Sequence, residues 1–164
     1  MGKEKTNRDK AGFVGWGLKT YTALFLILVL FGCAPKKIRV YESLPEIRNN
    51  IIQSAMTLQG RPYRGGAKGP DAFDCSGLVH YVYKKSNITL PIATEGQERV
   101  GYEISRGSVL PGDLVFFIIK KDVHVGIMIN RREFVHASKS RGVAIDSVDS
   151  EYWKRSLHAF RNVL

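Results

Sequence analysis

The sequence predicts an α+β domain in which a helix that begins at a cysteine packs on an antiparallel β-sheet that carries two histidines. Three observations support this fold class. Cys75 stands directly before the apolar spacing of a helix. The segments 110–120 and 122–130 have the composition of strands. A tight turn then joins the second of them to a third strand, at 132–138.

The segment 1–32 has the organisation of a secretion signal. Basic residues precede the apolar stretch Tyr21–Phe31, which Gly32 and Cys33 follow. Lys19 keeps the apolar stretch well below the roughly 20 residues that a membrane-spanning helix requires. The letters "LFGC" resemble the lipobox of bacterial lipoproteins, in which the chain is cut before a cysteine that then receives a lipid. We therefore expect a lipoprotein signal peptide at 1–32 and a lipid on the sulfur of Cys33.

The rest of the chain has the size of one domain and is basic. We expect a lipid-anchored tether at 33–43 and the folded domain at 44–164. The whole chain has a formal net charge of +10 at pH 7, which indicates either a polyanionic partner or a solvated basic surface. An exported protein rarely meets nucleic acid, so no nucleic-acid partner is predicted. The remaining candidate anions are lipid head groups, teichoic-type polymers and the carboxylates of cell-wall peptides.

A first helix is predicted at the start of the domain. Ser43 and Glu46 have the spacing of a capping box, and Gly60 can end the helix. Apolar residues follow the cap at helical spacing: Ile47, Ile51, Ala55 and Leu58. The next segment, 61–73, is dense in Gly and Pro, and we predict an irregular loop that leads to Cys75.

Cys75 is predicted to lie in the first turn of a second helix that ends near Lys85. Asp74 is a suitable N-cap for this helix. The unpaired N–H groups and the dipole of the helix start favour a thiolate, whereas the adjacent carboxylate disfavours one. With a lipid on Cys33, Cys75 has no disulfide partner. From its position alone, Cys75 could be a packed side chain, a metal ligand or a nucleophile.

Two strand patterns follow. The apolar run within 110–120 does not alternate, which indicates a strand covered on both faces. The run 122–130 does alternate, and its Val and Ile residues form the core face. His124 therefore points away from this aliphatic face. It stands beside Gly126, which is expected to leave room for another group to approach.

The length of the next connection decides whether two histidines share a face. If a three-residue turn joins Ile129 to Glu133, His136 lies opposite Gly126 and on the face of His124. A two-residue turn would put the two rings on opposite faces. We therefore predict a connection of odd length, or a bulge.

Structural interpretations compete with this constellation. Either histidine of the pair could serve only to satisfy a backbone group. A zinc ion held by Cys75, His124 and His136 is chemically conceivable, but no short-spaced ligand pair such as CxxC accompanies them. We therefore predict no metal and no other cofactor. His80 is turned away from the thiol, and His158 is placed in a C-terminal edge strand, so both are interpreted as structural.

Four ordered motifs carry a family resemblance: "FDCSGLV", "PGDLVFF", "HVGI" and "FVHAS". Together they resemble the NlpC-type family of bacterial cell-wall peptidases, which are papain-like cysteine enzymes. The resemblance covers about residues 44–164. It implies that Cys75 attacks the scissile carbonyl and that His124 is its general base and later the acid for the leaving amine. It also implies that His136 orients His124, and we expect it to accept a hydrogen bond from Nδ1–H of that ring.

The resemblance also assigns roles around the thiol. Tyr63, in "RPYRGG", is implied to help stabilise the oxyanion, together with the backbone N–H of Cys75. Asp74 and Ser76 are implied to contact a free amine of the substrate, although the plain interpretation of Asp74 is a helix cap. Arg64 replaces the tryptophan that the family usually has before its glycines.

The implied function is hydrolysis of an amide bond in peptidoglycan stem peptides through a thioester. The γ-D-glutamyl to diaminopimelate bond is favoured over the diaminopimelate to D-alanine cross-link, because Asp74 beside the nucleophile suits a substrate with a free amine. The alternatives are a lipid-anchored wall-binding protein without activity, and an amidase or acyltransferase on the same scaffold. We expect a monomer. We also expect it to lie on the periplasmic side of the outer membrane, because Ala34 replaces the aspartate that signals inner-membrane retention.

Overall fold

The computed structural model describes residues 43–164. The predicted signal peptide 1–32, the predicted lipidation site Cys33 and the predicted tether up to residue 42 lie outside the described residues. Within residues 43–164, no helix combines the length and the apolar content that crossing a bilayer requires.

Helix α1, Leu44–Met56, begins at the predicted cap. The Ser43 N–H donates to the Glu46 carboxylate at 2.8 Å, and the Ser43 hydroxyl donates to it at 3.1 Å. The helix ends before the predicted Gly60, because the N–H of Leu58 bonds three residues back and tightens the last turn. Gly60, at φ +83°, turns the chain afterwards, a conformation that glycine adopts without steric cost.

Helix α2, Cys75–Lys85, has the predicted bounds. The Asp74 side chain accepts a hydrogen bond from the Gly77 N–H at 2.6 Å, as an N-cap does. Its predicted apolar residues are fully buried: Leu78, Val79 and Val82. A short helix α3, Thr94–Gln97, follows α2. The cap thus holds Cys75 at the first position of a helix that is anchored in the core.

The described residues form a six-stranded antiparallel sheet with the order β1-β6-β2-β3-β4-β5. The strands are β1 Tyr102–Ile104, β2 Leu114–Ile119, β3 Asp122–Met128, β4 Glu133–Ser138, β5 Gly142–Ser147 and β6 Leu157–Asn162. A helix α4, Glu151–Ser156, precedes β6. The prediction that His158 lies in an edge strand is wrong, because β6 pairs with both β1 and β2.

The predicted register between β3 and β4 is confirmed. Ile127 pairs with Val135, and Met128 pairs with Phe134, as a three-residue connection requires. Asn130 shapes this connection, because its side-chain oxygen accepts the N–H groups of the second and third residues after it at 2.8 and 2.9 Å. This local turn places the two histidines of the sheet on one face.

Each face of the sheet has its own core. Leu114 and Phe116 of β2 pack with α1 and α2, whereas Val115 and Phe117 pack with Trp153 of α4 on the other face. The prediction that β2 is covered on both faces is therefore confirmed. The histidines lie on the α4 face near its aromatic residues, since Trp153 contacts both rings.

The space beside Gly126 is occupied by the protein itself. A Cβ at Gly126 would lie 2.6 Å from the Phe134 ring and 3.1 Å from the Val135 carbonyl oxygen. The expectation that this glycine leaves room for an approaching group is wrong. Glycine is needed there because the Phe134 side chain of the neighbouring strand packs directly over its Cα, and the same ring lies 5.0 Å from the ring of His136.

Candidate active site

Cys75 lies at the junction between the preceding loop and helix α2. It is half-buried, and it is a free thiol within the part of the chain that the structure describes. Its Sγ lies 3.8 Å from the Thr94 hydroxyl of α3. The loop before it is tied down by backbone bridges, which pair Phe73 with Tyr63 and with Lys68. The thiol is therefore presented from an anchored segment.

The two sheet histidines form a direct hydrogen bond. Nε2 of His124 lies 2.9 Å from Nδ1 of His136, and the rings are nearly perpendicular, with an interplanar angle of 83°. His136 is buried, with 1% of its surface exposed, and His124 is half-buried. Trp153 stacks on His124 at a centroid distance of 5.4 Å and closes one side of the pair.

Asp146 of β5 is the last member of the hydrogen-bond chain that runs through the two rings. Its Oδ2 lies 3.0 Å from Nε2 of His136 and also accepts from Arg141 Nη2 at 2.6 Å and Trp153 Nε1 at 2.8 Å. Burial alone would raise the pKa of Asp146, but the hydrogen bonds from Arg141, Trp153 and His136 outweigh it and lower the pKa below its usual value. Asp146 is therefore a carboxylate at neutral pH.

Both rings are neutral at neutral pH. Burial, followed by the charges of His136 and Lys139, lowers the pKa of His124 to about 3, although Asp146 opposes this shift. Burial also lowers the pKa of His136, against the hydrogen bond and the charge of Asp146. Neutral imidazole is the form that can accept a proton from a thiol.

The hydrogen bonds assign one tautomer to each ring. Asp146 can only accept, so Nε2 of His136 carries a proton and donates it. Nδ1 of His136 then accepts from Nε2–H of His124, which leaves a lone pair on Nδ1 of His124. The expectation that His124 donates through Nδ1 is wrong. Nε2 is the outer atom of the ring, and the outer atom is the one that reaches the neighbouring strand.

One cleft contains most of the predicted residues. Tyr63, Cys75, His124 and His136 all line a cleft with a volume of about 570 Å³. Burial, followed by the charges of Cys75, Asp74 and Asp122, raises the pKa of Tyr63, so its phenol remains a hydrogen-bond donor. The roles predicted for these four side chains remain predictions, but the structure brings the four together.

Asp74 and Ser76 are placed differently. The Asp74 carboxylate accepts the Gly66 N–H at 2.9 Å in addition to its cap bond, and the Lys68 ammonium lies 2.9 Å from both of its oxygens. The same ammonium lies 3.2 Å from the Ser76 hydroxyl. Neither Asp74 nor Ser76 lines the cleft. The chain itself supplies an amine at the position where a substrate amine is predicted to bind.

The other described histidines serve the fold. Nδ1 of His80 lies 2.8 Å from the Leu90 carbonyl oxygen. His158 forms an ion pair of 2.9 Å with Glu98 when it is protonated. Both therefore have the structural partners that their interpretation requires. Within residues 43–164, no group of three or more His, Cys, Asp and Glu side chains is arranged to hold a metal ion.

Comparison with known families agrees with this arrangement. A family model described as the NlpC/P60 family matches residues 60–162, a range that contains the cleft residues named above. The chain belongs to the NlpC/P60 family. This membership confirms the predicted resemblance and the α+β, papain-like fold class, and it makes the chain a peptidase.

Individual NlpC/P60 members show how much of each protein is shared. "Probable endopeptidase NlpC" of Escherichia coli is 34% identical over 151 residues, which cover 85% of this chain and 96% of that protein. "Murein DD-endopeptidase MepS/Murein LD-carboxypeptidase" of Escherichia coli is 36% identical, over 73% of this chain and 64% of that protein. The crystal structure of an NlpC/P60 family protein from Bacillus cereus has a TM-score of 0.67 and 28% identity, over 71% of this chain and 40% of that chain.

Sequence reasoning missed Asp146, Trp153 and Lys68. A signal for Asp146 exists in the strand pattern. The turn between β4 and β5 has three residues, so His136 pairs with Ala144, and Asp146 lies two residues further along on the same face. No comparable signal points to Trp153 or Lys68, because each reaches its partner through loops and a short helix.

Proposed function

We propose that this NlpC/P60 member is a cysteine endopeptidase that hydrolyses an amide bond in peptidoglycan stem peptides. One observation carries the proposal: Cys75 shares a cleft with a histidine whose free Nδ1 lone pair is assigned by a hydrogen-bond chain that ends at Asp146. A thiol together with a neutral, oriented imidazole is the arrangement that nucleophilic attack on an amide needs.

The reaction follows from these positions. Nδ1 of His124 takes the proton of the Cys75 thiol, and the thiolate attacks the amide carbonyl carbon. The new anion raises the proton affinity of His124, and the resulting imidazolium gives its proton to the leaving amine. A thioester remains on Cys75. Water, deprotonated by the same ring, then hydrolyses the thioester and restores the thiol.

Charge developing on the carbonyl oxygen needs donors that are already in place. The Cys75 N–H is the first backbone donor of α2, and the Tyr63 phenol remains protonated in the same cleft. Both can donate to the oxyanion of the tetrahedral intermediate. Asp146 acts through His136 on His124, so it is a positioning residue in this scheme.

Two properties support a cell-wall peptide as the substrate. The relatives "Probable endopeptidase NlpC" and "Murein DD-endopeptidase MepS/Murein LD-carboxypeptidase" have endopeptidase names, and the second name specifies murein. Lys139 and Arg141 line the cleft, and stem peptides carry carboxylates that such cations bind.

Two bonds of the stem remain candidates. The γ-D-glutamyl to diaminopimelate bond is favoured by the sequence through a contact between Asp74 and a free substrate amine. That carboxylate is engaged by Lys68, which favours the second candidate, the diaminopimelate to D-alanine cross-link. An enzyme for the cross-link needs no free L-alanine amine, because intact stems have that amine acylated by the glycan.

The test uses purified, lipid-free protein and isolated sacculi. Hydrolysis that releases new amino groups, and that Cys75→Ser abolishes, is the expected result. Binding without amine release would show instead a wall-binding protein without activity. Free tripeptide and cross-linked muropeptide, followed by mass spectrometry, separate the two bonds: L-alanyl-D-glutamate identifies the first bond and loss of dimers the second.

We infer an exported monomer that a lipid on Cys33 anchors in the outer membrane, facing the periplasm. The basis is the sequence "LFGC" and the absence of an aspartate after the cysteine. Metabolic labelling with a fatty acid should mark the wild-type protein and leave Cys33→Ala unlabelled. Equal labelling of both proteins would reject the anchor.

A further inference from the structure

A site for an ammonium group lies directly beside the nucleophile. The Lys68 ammonium lies 2.9 Å from each Asp74 oxygen and 3.2 Å from the Ser76 hydroxyl. An ammonium has three N–H donors, so these three acceptors match its capacity. The two residues that supply the acceptors flank Cys75 on either side in the chain.

The acceptors of this site are held in place by the backbone. The Gly77 N–H and the Gly66 N–H donate to the two oxygens of Asp74 at 2.6 and 2.9 Å. Ser76 is buried, and its carbonyl oxygen accepts from the Gln97 side chain at 2.9 Å. The carboxylate is therefore oriented by contacts that do not depend on Lys68.

Gly77 leaves room for the Lys68 side chain. A Cβ at Gly77 would lie only 2.8 Å from Lys68 Cδ. The aliphatic stem of Lys68 thus crosses the helix start where glycine leaves space, and 31% of the Lys68 side chain remains exposed. With Lys68 in this position, neither Asp74 nor Ser76 lines the cleft.

We propose that Lys68 is a specificity-determining residue that fills the amine site beside Cys75 from within the chain. The inference rests on the proposed peptidase function. A substrate amine would have to displace an ammonium that is tethered at high effective concentration, so a free amine adds nothing to binding. The enzyme therefore accepts stems whose L-alanine amine is acylated by glycan as readily as stems whose amine is free.

The experiment compares one cross-linked stem-peptide dimer in two forms. In the first form both L-alanine amines are free, and in the second they are acylated, as in the glycan-linked muropeptide. Both forms contain both candidate bonds, so an enzyme that cuts either bond gives a measurable rate. The measured quantity is the ratio of kcat/KM for the free form to kcat/KM for the acylated form.

Wild-type protein should give a ratio near one. Lys68→Ala empties the site and should raise the ratio about tenfold or more, because the free amine then gains charge-assisted hydrogen bonds. Lys68→Arg keeps a cation there and should keep the wild-type ratio. Lys84→Ala is the matched control, since Lys84 is an exposed lysine in the last turn of α2, the helix that begins at Cys75.

Two results would overturn the inference: a wild-type ratio of about ten or more, or a ratio that Lys68→Ala leaves unchanged. If Lys68→Ala does not fold, Lys68→Met retains the aliphatic stem over Gly77 and serves as the second variant. Failure of the wild-type protein to cleave either form would instead reject the proposed function, and the inference with it. Binding of both forms to Cys75→Ser, measured by calorimetry, reads the same preference without turnover.

Discussion

The sheet that carries the two histidines and the helix that begins at Cys75 each have a carboxylate that is paired with a cation of the same chain. On the sheet side, Arg141 pairs with Asp146. On the helix side, Lys68 pairs with Asp74. The two pairs look alike, but they differ in what separates each carboxylate from the sulfur of the nucleophile.

Asp146 contacts His136 and acts on His124 through that ring, whereas Asp74 precedes Cys75 directly and caps its helix. A carboxylate at the end of a chain of rings selects tautomers, and so it affects the chemical step. A carboxylate that binds helix N–H groups stabilises the fold and, through Lys68, the choice of substrate. Substitutions on the sheet side should therefore change the rate, and those on the helix side should change stability and selectivity.

The largest effect is expected at the thiol, where both sides meet. Cys75→Ser should lower turnover of sacculi by about 10⁴-fold or more, because an alcohol is a much poorer nucleophile beside the same imidazole. The fold should be intact, as circular dichroism and urea unfolding would confirm. Near-normal hydrolysis by this variant would refute the mechanism.

His124→Ala tests the sheet side directly. Loss of the base should reduce kcat/KM by about 10²- to 10⁴-fold. His136→Ala should lose less, because the base remains and only its orientation weakens. A loss for His136→Ala that exceeds the loss for His124→Ala would show that the two rings have exchanged roles.

Asp146→Asn should reduce kcat by about tenfold. The amide occupies the same volume as the carboxylate, but it can donate as well as accept a hydrogen bond and therefore no longer enforces one tautomer of His136. KM should change less than kcat, because the hydrogen bonds of Asp146 go to His136, Arg141 and Trp153 and orient the rings. Its pH profile of kcat should also differ from the wild-type profile, as expected of a positioning residue. A variant with an unchanged kcat and pH profile would reduce Asp146 to a structural partner of Trp153 and Arg141.

Asp74→Ala should mainly reduce stability. Loss of the N-cap should lower the free energy of unfolding by about 1 kcal/mol. Urea unfolding measures this change, and Asp146→Asn is the matched comparison on the other side of the cleft. Unchanged stability together with a loss of turnover above tenfold would contradict the assignment of Asp74 to the helix cap.

A pH titration of stability tests the burial of His124. The pKa of His124 is about 3 in the folded protein and about 6.5 in an unfolded chain. Between these values the unfolded chain binds a proton that the folded protein does not, so stability falls as pH is lowered from about 6.5. The slope due to this ring should stay below about 1.4 kcal/mol per pH unit. Urea unfolding at pH 7 and pH 5 should show a smaller difference for His124→Gln than for the wild type, and an equal difference would contradict burial as the cause.

Local patterns of the sequence determine much of this site. The capping residue Asp74 and the apolar residues after it predict a helix that starts at Cys75, because a helix start depends on neighbours within a few residues. Alternation and a three-residue turn predict that His124 and His136 share a face, because strand register depends on turn length. Short-range spacing therefore predicts the thiol and both rings as members of one site.

Only the tertiary structure decided the partners that complete the site. Lys68 reaches Asp74 through an irregular loop, and Trp153 reaches His124 from a short helix, so neither contact follows from a repeating pattern. The position of β6 between β1 and β2 could not be predicted from the sequence either, because the residues of a strand do not determine which strands it pairs with. Long-range packing chooses these contacts by how whole elements bury their faces, and spacing along the chain does not encode that choice.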